Sequence, residues 1–105
     1  MVLLVLCTFP DADTAASVTR TLVEEKLVAC GNIIPGVRSI YFWEGKMEDT
    51  SEVLVLFKTA SSAYARLEKR LLKLHSYGMP EILAFEAGGA AKAYAAWVAD
   101  AVRPS

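Results

Sequence analysis

Thiols and imidazoles are scarce in this chain: two cysteines, Cys7 and Cys30, and one histidine, His75, among 105 residues. Two separated cysteines make no disulfide scaffold, and a structural zinc site draws on four ligands at close spacings that these residues lack. Charge of one sign is scarce as well. Eleven Lys and Arg against twelve Asp and Glu leave a net charge of −1 with no block of like charge, which excludes the basic footprint of a nucleic-acid binder and a patch for anionic membranes. Long apolar runs are missing too: stretches such as Met1 to Cys7 and Val53 to Phe57 fall far short of the ~18 residues that suggest a membrane span. Met1 to Cys7 lacks a basic leader and a small-residue cleavage site, so no secretory signal is expected. The protein reads as cytoplasmic, with free thiols in a reducing compartment. No nucleophile motif is present, and Gly88-Gly89 is too short to cradle a phosphate. Cys30 with His75, or Arg38 with Asn32, are isolated pairings, and the expectation is that this is not an enzyme.

Hydrophobic side chains, by contrast, are abundant, at 54% of residues with a mean hydropathy of +0.34. That is rich for a chain whose 105 residues amount to one domain, 1–105, and part of the apolar surface is expected to be buried against another subunit. Val2 to Phe9, Val/Leu-rich and closed by Pro10, suits a central strand. Asp11 offers an N-cap, Asp13 complements the dipole, and Ala15, Val18 and Leu22 form the apolar stripe of a helix with Lys26 in its last turn. Leu27 to Trp43 reads as extended, with a bulge or bend at Pro35-Gly36. Glu44-Gly45-Lys46 turns the chain back through Val53, Val55 and Phe57 on one face and Leu54 and Leu56 on the other, so the two segments form a long hairpin. Ser61 or Ser62 is positioned to cap a second helix ending near His75. Ile82 to Phe85 is a short fourth strand, and Ala90 to Val102 a third helix.

Strand, helix, strand, strand, helix, strand, helix is the order of an α+β protein. With right-handed crossovers it predicts a ferredoxin-like split-βαβ sandwich, four antiparallel strands with two helices on one face and the third strand between the first and second. The other face is left for the third helix to cover in part. The hairpin outruns the first and fourth strands, so its end overhangs, carrying Ile40, Tyr41, Phe42 and Trp43 as an edge open to another chain. A closed ring of identical subunits removes such edges.

Several spaced segments then agree in order with one family. Leu6-Cys7-Thr8, Ala29-Cys30-Gly31-Asn32-Ile33-Ile34-Pro35-Gly36-Val37, Ser39-Ile40-Tyr41-Phe42-Trp43-Glu44-Gly45-Lys46, Glu52, Lys58-Thr59 and His75-Ser76-Tyr77-Gly78-Met79-Pro80-Glu81-Ile82 resemble the CutA, or divalent-cation tolerance, family over essentially the whole chain. The resemblance implies a trimer similar in architecture to the nitrogen-regulatory P-II proteins, and a role in tolerance of copper and other divalent cations. It implies metal ligation by the thiol of Cys7 and the imidazole of His75, with Glu81 and Tyr77 lining an intersubunit cleft and Glu81 available to complete the site. Leu74 stands where some members carry a first His, and Ser76 where the usual residue is Pro. Read without the family, Cys7 and Cys30 suit core packing better than a ligating or reactive role, and His75 is as well suited to a contact at the end of a helix as to a metal. A trimeric small-molecule sensor, holding an anionic ligand in the cleft through Lys58 and Arg38, is the alternative function.

Overall fold

In the computed structural model, which describes residues 1–104, β1 (Val2–Phe9) alternates strictly until its end. Leu3, Val5, Cys7 and Phe9 are buried and Val2, Leu4 and Leu6 are half-exposed. The chain leaves through Asp11, whose side chain accepts the Thr14 N–H at 2.7 Å and so caps α1 (Ala12–Glu24). Lys26 falls beyond the helix rather than in its last turn: Glu25 is the C-cap, and Lys26 takes the left-handed conformation (φ 59°) that reverses the chain. Leu27, Val28 and Ala29 are buried connection, and β2 begins at Cys30 (Cys30–Trp43), later than the extended run of sequence suggests.

β2 and β3 (Lys46–Ala60) form the long hairpin. Glu44 (φ 50°) and Gly45 (φ 78°) make a two-residue turn in which both residues need positive φ, the geometry whose twist matches that of the strands. The expected irregularity lies between Ile34 and Val37, with Gly36 at φ 80°. Ser61 and Ser62 do not cap a helix through their side chains. They open a 3₁₀ turn, Ser61–Ala63, from which α2 (Tyr64–Leu74) continues. β4 (Leu83–Glu86) and α3 (Lys92–Ala101) follow.

The sheet is antiparallel with strand order β2-β3-β1-β4, the arrangement expected from the order of elements. Its inner face joins Leu3, Val5, Cys7, Phe9, Val53, Val55 and Phe57 to Ala15, Val18 and Leu22 of α1 and Leu67 and Leu71 of α2 in one core. Phe9 meets Phe57 edge to face at 6.5 Å. On the outer face the registers Leu6↔Leu56, Leu4↔Phe85 and Leu6↔Leu83 set Leu4, Leu6, Leu56, Leu83 and Phe85 side by side. α3 shields only one end of that face, through Val98 and through Val102 against Ala60 and Ala63. Leu83 and Phe85 remain about half exposed, as does Trp97 of α3.

Candidate functional site

The strands of the sheet differ in length, and the site lies where they part. β4 pairs with β1 only from Leu3 to Leu6, so Thr8 has no strand neighbour on that side. β1 in turn reaches only to Val53 of β3, so residues 46–52 extend past it. The chain leaving α2 fills the first gap. His75 is the C-cap of that helix, in extended conformation, and its ring turns back into the core, 7% exposed. There it stacks on Phe9 at 4.5 Å and 17°. Its Nδ1 accepts the Tyr77 N–H at 3.1 Å, which leaves the proton on Nε2, donated to the Thr8 carbonyl at 2.6 Å. One imidazole thus replaces a missing strand at Thr8 and fixes the loop that follows.

Tyr77 begins the functional wall. Its ring leans on His75 at 4.7 Å, and its hydroxyl donates to Glu52 Oε2 at 2.7 Å. Burial, the Glu52 hydrogen bond and the Glu52 charge, with smaller contributions from Tyr41 and Asp11, push the Tyr77 hydroxyl well above the ordinary tyrosine range. Between the overhanging half of the hairpin and the loop at 76–81 a cleft of about 970 Å³ opens. Glu52 and Glu81 supply its carboxylates, Tyr41, Trp43 and Tyr77 its aromatic walls, and Thr8 and Pro10 part of its floor. Its lining includes no Lys, Arg or His among the described residues.

The profile of the CutA1 divalent ion tolerance protein family matches residues 3–101. The chain belongs to that family. The divalent-cation tolerance protein CutA of Thermus thermophilus is 40% identical over 94 residues, 90% of this chain and 91% of its own. CutA of Pectobacterium atrosepticum is 38% identical over 94% and 90%. Among solved structures, the Thermus thermophilus divalent cation tolerance protein superposes with a TM-score of 0.94 at 38% identity, covering 98% of this chain and 100% of that one. CutA from Xylella fastidiosa gives 0.94 at 35%, covering 97% and 98%.

Within this CutA1 chain the residues expected as metal ligands are placed unequally. Glu81 lines the cleft. Cys7 lies on the core face of β1, fully buried, and burial, with the charges of Glu81 and Glu52 adding to it, pushes its thiol up to about 12. His75 sits behind Tyr77 with both ring nitrogens hydrogen-bonded. Among the described residues no three of His, Cys, Asp and Glu come together as a metal-holding group. Leu74 packs against the core and lines a shallow depression on α1, away from the cleft. Cys30 is half-buried, its sulfur 3.8 Å from the Tyr94 hydroxyl of α3. The residue not counted among the expected ligands is Glu52. Its polar position beside Val53, at the point where the apolar run of β3 stops, is the signal that marks it.

Of the basic residues considered for an anionic ligand, neither reaches the cleft. Arg38 holds Asp49 through two hydrogen bonds of 2.8 and 2.6 Å on the hairpin, and Lys58 pairs in register with Cys30 and Leu4. Six residues along a strand separate it from Glu52, roughly 20 Å.

Proposed function

We propose that this CutA1-family protein acts in divalent-cation tolerance by binding, as a cytoplasmic homotrimer, and that it meets the ion at the cleft through Glu52 and Glu81. Copper is the metal that the resemblance of its sequence implies. The observation that carries this reading is the charge of the lining: two carboxylates, a tyrosine hydroxyl bonded to one of them, and no basic side chain. Oxygen donors of this kind hold a divalent ion weakly and with little selectivity. Cys7 and His75 serve behind the site. A thiol that stays protonated and an imidazole with both nitrogens engaged give up bonds before they give any to a metal. An anionic metabolite is the poorer fit, since the charged side chains that line the cleft are carboxylates.

The homotrimer draws its support from two uncovered surfaces. Ile40 is 61% and Phe42 68% exposed on the overhang, and Leu83, Phe85 and Trp97 crowd the open face. Apolar surface of this extent suits burial against further copies of the chain.

Copper titration of the wild type, Glu52→Gln, Glu81→Gln and His75→Ala, with sedimentation equilibrium on each, tests both halves. Weakened binding in the two carboxylate variants, with affinity held into mildly acidic solution and a mass of about three chains, is the expected result. Equal affinity in wild type and both Gln variants rejects the cleft as the ion's site. A folded monomer at micromolar concentration rejects the trimer.

A further inference from the structure

A divalent ion with six waters fills roughly 200 Å³, a small part of a cleft of about 970 Å³. The remaining space is walled by Tyr41, Trp43 and Tyr77 with Met79, a lining suited to an organic body. We propose that the cleft recognises a small organic cation, an ammonium carried on an aromatic or alkyl group, its charge met by Glu52 and Glu81 and its body by the aromatic walls. The inference rests on the reading of the cleft as a cation site and names a second class of occupant for it.

Three features select that class. Glu52 is 9% exposed and is held by the Tyr77 hydroxyl at 2.7 Å, and the loop carrying Tyr77 is itself fixed through His75 to the end of β1. A carboxylate positioned in this way costs no reordering when a cation arrives. Tyr41 and Trp43, 42% and 44% exposed, offer ring faces, and a cation over such a face gains most where water is excluded. The charged side chains that line the cleft are both carboxylates. Asp11 and Glu52 both act on the Tyr77 hydroxyl, Glu81 and Glu52 both act on the thiol behind, Arg38 is engaged with Asp49, and Lys46, in register with Trp43 at the tip of the hairpin, lies outside the lining. A neutral body of the same shape lacks the attraction, and an anion meets repulsion.

Calorimetric titration with benzyltrimethylammonium, benzyl alcohol and phenylacetate tests the choice of class, run beside copper on the same samples. Binding of benzyltrimethylammonium alone among the three, weakened about tenfold in Glu81→Gln and in Trp43→Leu, is expected. Circular dichroism checks the fold of each variant, and Glu81→Gln, on an exposed loop, keeps the test open if Trp43→Leu fails to fold. Binding of benzyl alcohol or phenylacetate as tight as that of the ammonium overturns the proposal, as does an ammonium affinity unchanged in Glu81→Gln. Copper binding without ammonium binding overturns this inference and leaves the divalent-ion reading in place. Ammonium binding without copper sustains it and removes the divalent ion from the cleft. Binding of neither rejects both.

Discussion

β3 passes through two environments in a single strand. From Val53 to Ala60 it runs between β1 and β2, with Val55, Phe57 and Thr59 fully buried. From Lys46 to Ser51 it has β2 alone for a neighbour, and Met47 is 61% exposed. Val and Phe in the inner half build a core within the subunit. Met47 and the facing Phe42 and Ile40 in the outer half bury nothing there. A chain that places large apolar side chains where its own fold cannot cover them specifies a second packing partner. The cleft lies at the boundary between the halves, where Glu52 ends the apolar run.

The sharpest way to break that comparison is to truncate one aromatic in each half. Phe57→Ala removes a ring that is wholly buried against α1 and α2 and should cost about 3–5 kcal/mol in urea unfolding, wherever the subunit's neighbours are. Phe42→Ala removes a ring that is 68% exposed in the subunit. If the overhang is covered by other copies, its loss should lower the assembled mass in sedimentation equilibrium and make the unfolding midpoint depend more steeply on protein concentration. A Phe42→Ala protein with unchanged mass and midpoint makes the outer half a solvent-exposed ribbon and nothing more.

Two glycines sharpen the same contrast at a smaller scale. A Cβ at Gly31 stands 2.7 Å from Thr19 Cγ2 and 3.1 Å from Phe57 Cδ1, because α1 crosses β2 there with no room between them. Gly31→Ala should therefore cost about 1–3 kcal/mol by overpacking. At Gly78, in the cleft loop, a Cβ meets nothing within 4 Å, and Gly78→Ala should stay within about 0.5 kcal/mol of wild type. Urea unfolding of the two variants at one protein concentration checks the ordering. A large loss at Gly78 means that a neighbouring copy occupies the space beside the loop.

Strand order was legible from the order of elements and the handedness of crossovers, and the hairpin and the bulge at Pro35-Gly36 from local pattern: an apolar run at 53–57, turn residues at Glu44-Gly45-Lys46, a missing N–H at Pro35. The end of α1 was less so. Lys26 reads as a dipole-complementing cation in a last turn, and nothing local says that the helix has ended at Glu24 and that Lys26 itself turns the chain. Ser61 and Ser62 look like caps, yet their turn is set by pairing across the sheet, where Ser61 N–H reaches the Met1 carbonyl at 3.1 Å. The site was legible only in part. Glu81 and Tyr77 belong to a recognisable stretch, whereas the bond from Tyr77 to Glu52 joins residues 25 apart and the bond from His75 to Thr8 joins residues 67 apart. Such contacts are consequences of where β1 and β4 end, and strand ends are the least determined feature of a sequence pattern. For the same reason, spacing alone could not show that His75 uses both ring nitrogens within the protein.

The smallest difference between packed body and overhang concerns their ion pairs. Arg70 holds Glu25 through two 2.8 Å hydrogen bonds and ties α2 to the end of α1, while Arg38 and Asp49 lie across the two strands of the hairpin. In each pair the arginine hydrogen bond lowers the carboxyl pKa from its ordinary value. A carboxylate whose folded value lies below its unfolded value contributes stability that is full above the unfolded value and lost as pH falls through the folded one. Both contributions are therefore present at neutral pH and lost only in acid solution, and both are small, because the pairs are exposed and screened. Arg70→Met should move the acid limb of the pH–stability curve slightly upward in pH at low salt, with the shift vanishing at high salt, since α1 and α2 must separate when the body unfolds. Arg38→Met should do the same only if the hairpin unfolds together with the body, which is the case when neighbouring copies grip it. Acid unfolding followed by circular dichroism at two salt concentrations distinguishes the outcomes. A shift in Arg70→Met with none in Arg38→Met marks an overhang that melts independently of the body, and equal shifts mark one cooperative structure that includes it.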